Sequence, residues 1–387
     1  MSGAQLKRAK LAVTITFITN GLGYGSFVAR LPDIKAHLHI SNATLGTILL
    51  SSSIGVFLAL RPSGRQSARH GSAPVAFWAT LALFAANILL GFVFNILWFC
   101  ISLFLFGFAA AFQDVSMNSH AVALERLSGK RMMSSFHAMF SVGGLLGGAI
   151  GGLFSQAKIS FSVQTFFVGG VIALVALYAK PRWLPADADK HQLSEEHATK
   201  KRPTLLWILG FFGFCGALSE GAAGDWGGIL SRDTFHASHF VSVLPYIAFS
   251  ATMVIGRFSG DRLAHRFGAP AILSAGGALA SGGLAVGLLV GGNFGVVFGW
   301  LFMGAGLSVV IPLLYSAAGT LAATKLKGHI APSQAVAIVS GISYFGFIVG
   351  PPTIGIIADQ IQLRWAMFVP VVLIAFLIGS AKFAKTE

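Results

Sequence analysis

Charge is what this chain has least of. Only 10% of its 387 residues are Asp, Glu, Lys or Arg, against roughly 25% in a soluble domain, so a water-facing surface is excluded for most of the polypeptide. Cysteine is nearly absent as well. Cys100 and Cys215 both fall inside apolar runs, where they act as small apolar residues and give no disulfide framework. No Gly-x-x-x-x-Gly-Lys-Ser/Thr loop occurs, so nothing supports nucleotide hydrolysis by this chain. Neither His-Glu-x-x-His nor Cys-x-x-Cys is present, and no metal site or other cofactor is indicated. Ser134, His137 and Asp114 are hydrolase-type side chains, but a triad is defined by geometry. No nucleophile turn or oxyanion hole marks one here, so an enzyme is not expected.

What fills the chain is apolar. Twelve segments stand out, near 10–29, 43–60, 73–94, 96–118, 134–156, 162–180, 204–223, 239–256, 270–291, 294–318, 334–357 and 363–382. Each approaches the ~20 residues a helix needs to cross a bilayer. They are continuous runs and not alternating ones, which excludes a single-chain β-barrel. One long polar stretch, Lys180 to Pro203, holds ten of the 40 charged residues and separates the first six segments from the last six. The expected organisation is an all-α membrane protein. An N-terminal six-helix bundle spans 1–180, a cytoplasmic linker 181–203 and a C-terminal six-helix bundle 204–387.

A formal charge of +14 would suit nucleic acid if it formed one surface, but it does not. With the N-terminus inside, the inner segments carry 22 of the 27 Lys and Arg and the outer segments carry 5. That asymmetry is the positive-inside rule; it puts both termini in the cytoplasm and leaves no case for nucleic acid. The first apolar run follows Lys7, Arg8 and Lys10 but leads straight into another span, so it reads as retained and not as a signal peptide.

An internal repeat lies in the loops. Ser63-Gly64-Arg65-Gln66-Ser67-Ala68-Arg69-His70-Gly71 follows the second segment, and Gly260-Asp261-Arg262-Leu263-Ala264-His265-Arg266-Phe267-Gly268 follows the eighth. Arg65, Arg69 and Gly71 match Arg262, Arg266 and Gly268 at an offset of 197 residues. Two halves related in this way are what transporters built from parallel repeats show.

From Gly256 to Gly268 the second copy resembles the G-x-x-x-D-R-x-G-R-type loop signature of the major facilitator superfamily. The chain is similar within it to the fucose-permease-like branch, in particular the bacterial YbjJ-type inner-membrane subgroup. The supporting stretches are Ala29-Arg30-Leu31-Pro32-Asp33-Ile34-Lys35, Asp114-Val115-Ser116-Met117-Asn118, Ser134-Ser135-Phe136-His137, Glu220-Gly221-Ala222-Ala223-Gly224-Asp225-Trp226 and Gly350-Pro351-Pro352. The resemblance covers essentially the whole chain. It implies a monomeric secondary transporter in a bacterial cytoplasmic membrane, moving a small molecule by alternating access. It also implies a conformational latch at Arg257, Asp261, Arg262 and Arg266. The first copy departs from the pattern, with Gly64 at the place of Asp261.

Charges inside a span cost roughly 2.5–3.5 kcal/mol on insertion scales, so they mark pathways. Asp114 lies late in the fourth segment, with Asn118 one turn further on the same face. His137 lies one turn into the fifth, at similar depth. Ser134, His137, Ser141, Gly144 and Gly148 share a helix face. Glu220 lies late in the seventh segment. Asp114, His137 and Glu220 are the expected proton-coupling residues, while Asp225 reads as a solvated helix-end residue. Asn20, Tyr24, Gln113, Asn118, Tyr246, Tyr315 and Tyr344 offer the amides and rings that would contact a polar solute such as a sugar or related metabolite. Sugar importers that this family resemblance brings in use carboxylates on the first and fourth spans; here the first span has Asn20 and no acid. The fifth span lacks the Gly-Pro pair of drug antiporters, which favours symport over drug/proton antiport. Three readings remain: a proton-coupled symporter, a proton-antiport exporter of metabolites or drugs, and a transporter-like sensor or scaffold.

Overall fold

The computed structural model describes residues 2–130, 132–188, 204–325, 330 and 332–382. Among them there is no strand; the chain is helical almost throughout. The helices are α1 (Gly3–Val28), α2 (Leu31–Leu38), α3 (Asn42–His70), α4 (Ser72–Leu90), α5 (Ile96–Ser128), α6 (Met133–Gln156) and α7 (Phe161–Ala179). After the linker come α8 (Thr204–Ile229), α9 (Leu244–Phe267), α10 (Ala269–Val290), α11 (Gly292–Leu307), α12 (Val310–Ala323), α13 (Pro332–Ile361), α14 (Leu363–Ala366) and α15 (Phe368–Ala375). Eleven spans among the described residues are long and apolar enough to cross a membrane, and a shorter apolar helical stretch, Leu363–Gly379, supplies the twelfth.

Local chemistry explains the ends and breaks. Ser2 and Gln5 form a capping box that starts α1, satisfying amides a helix start leaves open. Asn95 accepts from the Trp98 amide at 2.9 Å and starts α5. The tenth span divides into α11 and α12 because Pro312 cannot donate to the Ser308 carbonyl. Pro370 stands four residues after Ala366 and divides the twelfth span in the same way. Large apolar side chains such as Trp78, Leu97 and Phe294 stay exposed, as a bilayer solvent permits.

The chain divides into two compact units. Unit 1 holds Met1–Ile40, Thr47–Ser194 and Ser238–Val243; unit 2 holds Ser41–Gly46, Glu195–Ala237 and Leu244–Glu387. Each unit therefore includes a short segment from the other half of the sequence. In unit 1, His239 Nδ1 lies 3.3 Å from Asp33 Oδ1, and Ser155 Oγ donates to Asp33 Oδ2 at 2.6 Å. In unit 2, Asp359 accepts from the amides of Asn42 and Ala43 at 3.1 and 3.0 Å.

Unit 1 is held by α1 against α6 at glycine notches. A Cβ on Gly143 would meet the Ile18 carbonyl and lie 2.9 Å from the Leu22 nitrogen, so only glycine allows this approach. Beside it, Ala9, Val13, Phe17, Met117, Leu124, Phe136 and Leu184 form a buried core. The repeat is visible in the backbone too. Gly71 (φ 84°, ψ 151°) and Gly268 (φ 82°, ψ 142°) precede α4 and α10 with matching conformations, in a region that essentially only glycine occupies.

Candidate functional site

Unit 2 carries a polar cluster built by α8 and α9. Glu220 is 17 residues into α8 and Arg257 is 14 residues into α9; the two helices run as consecutive spans, and the side chains meet. Arg257 Nη2 donates to Glu220 Oε1 at 3.2 Å, with side chains 12% and 23% exposed. Tyr246, about three turns before Arg257 on the same face of α9, is buried, hydrogen-bonded to Ser250 and within electrostatic reach of Glu220, Arg257 and Asp225. Phe249 and Met253 are buried on the same helix. The arrangement supplies a compensated charge pair beside a phenol, a surface that can hydrogen-bond a polar solute.

Asp225 is the residue that sequence reading misplaced. Expected at a solvated helix end, it is only 9% exposed, because α8 runs on to Ile229 and into a π turn, Leu230–Thr234. Among the described residues its carboxyl takes no hydrogen bond. The neighbouring indole nitrogen of Trp226 is also buried without a partner. The signal was there to read: Gly221, Ala222, Ala223, Gly224, Gly227 and Gly228 flank it, and runs of small residues mark close packing in a bundle. Leu230–Thr234 adds to it, since π turns are frequent at functional sites.

In unit 1 the structure ties Asn20 and Gln113 together. Asn20 Nδ2 donates to Gln113 Oε1 at 2.8 Å and to the Ala110 carbonyl at 3.2 Å. Gln113 Nε2 donates to Thr80 Oγ1 at 2.9 Å and Thr19 Oγ1 at 3.4 Å. Both amides are buried, so in this conformation they join α1, α4 and α5. Asp114 is half-buried and accepts from Asn118 Nδ2 at 3.0 Å. Among the described residues no cation faces it. His137 sets its ring edge-on to Phe17, with centroids 5.3 Å apart.

The remaining candidates are scattered. Tyr24, Tyr315 and Tyr344 are half-buried, and Tyr344 packs on Phe347 at 6.2 Å. Of the four expected latch residues, Arg257 belongs to the Glu220 pair. Arg262 and Arg266 are exposed, the latter 5.2 Å from the Phe267 ring. The side chain of Asp261 lies outside the described residues. Among the described residues no group of His, Cys, Asp and Glu could hold a metal ion.

Comparison with known proteins agrees with this architecture. The chain is 28% identical to an uncharacterized MFS-type transporter of Yersinia pestis over 379 residues, covering 96% of this chain and 95% of that one. It is 30% identical to the uncharacterized transporter y4wD of Sinorhizobium fredii, covering 92% and 93%, and 29% identical to the membrane protein MosC of Rhizobium meliloti, covering 92% and 85%. Among solved structures, it superimposes on a bacterial homologue of the human lysosomal transporter Spinster with a TM-score of 0.79, at 13% identity and 100% and 98% coverage. A mutant of the nucleoside transporter NupG gives 0.77, at 12% identity and 97% and 100% coverage. The sequence model of the Major Facilitator Superfamily matches residues 13–332, more than half of the chain. Twelve apolar spans, a loop signature repeated in both halves and this match make the chain a member of the major facilitator superfamily of membrane transporters.

Proposed function

We propose that this transporter couples protons to the movement of a small polar solute, by alternating access of two six-helix bundles. The observation that carries the reading is the contrast between two acids in the spans. Glu220 is compensated by Arg257; among the described residues, Asp114 has only the Asn118 amide. A charge buried without a counter-ion is costly, and a proton removes it, so Asp114 is the carrier in this reading. His137 and Glu220 are helpers, and Asp225, whose carboxyl takes no hydrogen bond among the described residues, joins them. Tyr246 and the Glu220–Arg257 pair would meet the solute on one side. Tyr24, Asn118, Tyr315 and Tyr344 would add contacts, with Asn20 and Gln113 holding the helices that present them. Arg262, Arg266 and Asp261 would form the latch.

A place in the fucose-permease-like branch, near its YbjJ-type subgroup, would imply uptake of a sugar or related metabolite, which fits a site of amides, phenols and one compensated charge pair. The chain would act as a monomer in a bacterial inner membrane, both termini cytoplasmic, following the basic asymmetry of its loops.

The test is a thermal-shift screen of the purified protein against sugars, polyols, amino acids, nucleosides and common drugs at pH 5.5 and 7.5, with Asp114→Asn beside the wild type. A ligand stabilises by RT ln(1 + [L]/Kd), so millimolar binders register in excess. A sugar-like hit whose pH dependence disappears in Asp114→Asn is the expected result. A hydrophobic cation as the hit favours the exporter. Tight binding without counterflow in vesicles, unaffected by Asp114→Asn, favours a sensor. A pH dependence unchanged in Asp114→Asn removes Asp114 from coupling.

A further inference from the structure

The proposed transport site leaves one repeat unexplained. Gly64 stands where the second copy has Asp261, and the structure shows what that exchange opens. In unit 1 a cavity of 280 Å³ lies between α3 and α5, lined by Gly64, Ser67, Ser119, Val122 and Arg126 together with two alanines. That is room for roughly nine waters at about 30 Å³ each. A Cβ built on Gly64 would meet nothing within 4 Å, so the missing side chain has not been filled by a neighbour.

The lining and its surroundings give the cavity a chemistry. Ser67 is 4% exposed, and among the described residues its Oγ has no hydrogen-bond partner; a buried hydroxyl left unsatisfied costs free energy that a ligand can recover. Ser119 Oγ donates to the Val115 carbonyl at 2.8 Å, which leaves it lone pairs but no second proton to give. Arg126 brings a guanidinium to the rim, whose planar fork suits phosphate oxygens. Arg61, Arg65 and Arg69 are exposed along α3 beside it, which makes this end of the unit basic. Val122, 55% exposed, adds an apolar wall.

We propose that this cavity is a binding site for a phosphate group, held by Arg126 and the Ser67 hydroxyl, and that Gly64 keeps it open by withholding the carboxylate found in the second copy. Basic pockets between spans at the positively charged side of a membrane suit phosphate-bearing headgroups, and a free phosphate offers the same oxygens. The site does not depend on the transport reading; it stands or falls on the cavity.

The experiment uses the full-length protein purified in detergent. Retention of phosphatidylglycerol and phosphatidylcholine is measured by native mass spectrometry, and stabilisation by inorganic phosphate by thermal shift. Wild type is compared with Gly64→Asp and Gly64→Ala. Gly64→Ala tests whether the position tolerates a side chain; it should fold and bind like wild type. In Gly64→Asp a like charge beside the phosphate should weaken binding about tenfold or more. Ser67→Ala and Arg126→Gln serve as the second pair of variants if Gly64→Asp fails to fold. Loss of phosphatidylglycerol preference in the variants, with no response to inorganic phosphate, assigns the site to a lipid headgroup. Loss of phosphate stabilisation without lipid preference assigns it to a free phosphate. If folded Gly64→Asp, or Ser67→Ala and Arg126→Gln, hold both probes as tightly as wild type, the proposal is overturned.

Discussion

Neutralising both members of the Glu220–Arg257 pair should destabilise the protein by much less than the sum of neutralising each alone. The two side chains are 23% and 12% exposed and 3.2 Å apart. Removing one partner from a buried pair costs about 3–5 kcal/mol, because the other charge is left uncompensated. Since about a quarter of Glu220 reaches a more polar environment, the cost falls below that range, to roughly 2–3 kcal/mol for Glu220→Gln or Arg257→Gln. The double variant loses an interaction but leaves no orphan charge, so its cost should fall well short of the sum. A coupling energy of about 2 kcal/mol is the expectation for groups in direct contact. Reversible unfolding in mixed detergent micelles, followed by tryptophan fluorescence, would measure all four corners of the cycle. If the two single effects add to within about 0.5 kcal/mol, the pair is not an energetic unit and the compensated-charge argument fails. Transport offers an independent reading. With Asp114 as carrier, the double variant should keep its pH dependence while losing affinity for the solute.

Other consequences can be checked on the same preparation. Gly143→Ala should destabilise by about 1–3 kcal/mol, the usual cost of overpacking, since its Cβ would press on the backbone of α1. Gly170→Ala, where nothing lies within 4 Å, should be neutral or slightly stabilising; equal melting shifts for the two would refute the notch. Gln113→Leu should cost roughly 1–3 kcal/mol, because Asn20 and Thr80 lose a buried partner, and Thr80→Val combined with it should add little. Gly268→Ala should be more harmful than Gly64→Ala, the first forcing a side chain into backbone that only glycine adopts; comparable expression and melting of the two would contradict this.

The spans were legible in the sequence because hydrophobic length is a local property, and their starts fall within a few residues of expectation at most helices. The breaks near Pro312 and Pro370 were not read from the sequence, since proline alone does not decide them: Pro351 and Pro352 lie inside α13 without dividing it. The site was less legible, for reasons that differ by residue. Asn20 and Gln113 are 93 positions apart, and no periodicity announces that their amides bind each other. Arg257 reads as part of a loop signature, yet α9 continues to Phe267 and leaves Arg257 inside the helix, opposite Glu220. Asp225 was assigned to a helix end because it lies just beyond the apolar segment 204–223, whereas α8 continues to Ile229. Local pattern therefore located the polar residues, and partnership, which decides their chemistry, depended on the fold.

The three ties along α1 have a mechanical meaning. At one end of unit 1, Arg30 donates to the Ile159 carbonyl at 3.0 Å and to Gln164 at 3.1 Å, and Gln164 donates to the Ser26 carbonyl at 2.9 Å. Nearer the middle of α1, the glycine notches seat it on α6, and Phe17, next to the Ile18 notch, stacks on Phe136 at 5.7 Å. A helix pinned at three levels can neither slide nor roll against its neighbour without breaking a specific contact. It works as a stiff lever: a displacement imposed at one membrane face is delivered to the other with little lost to bending between them.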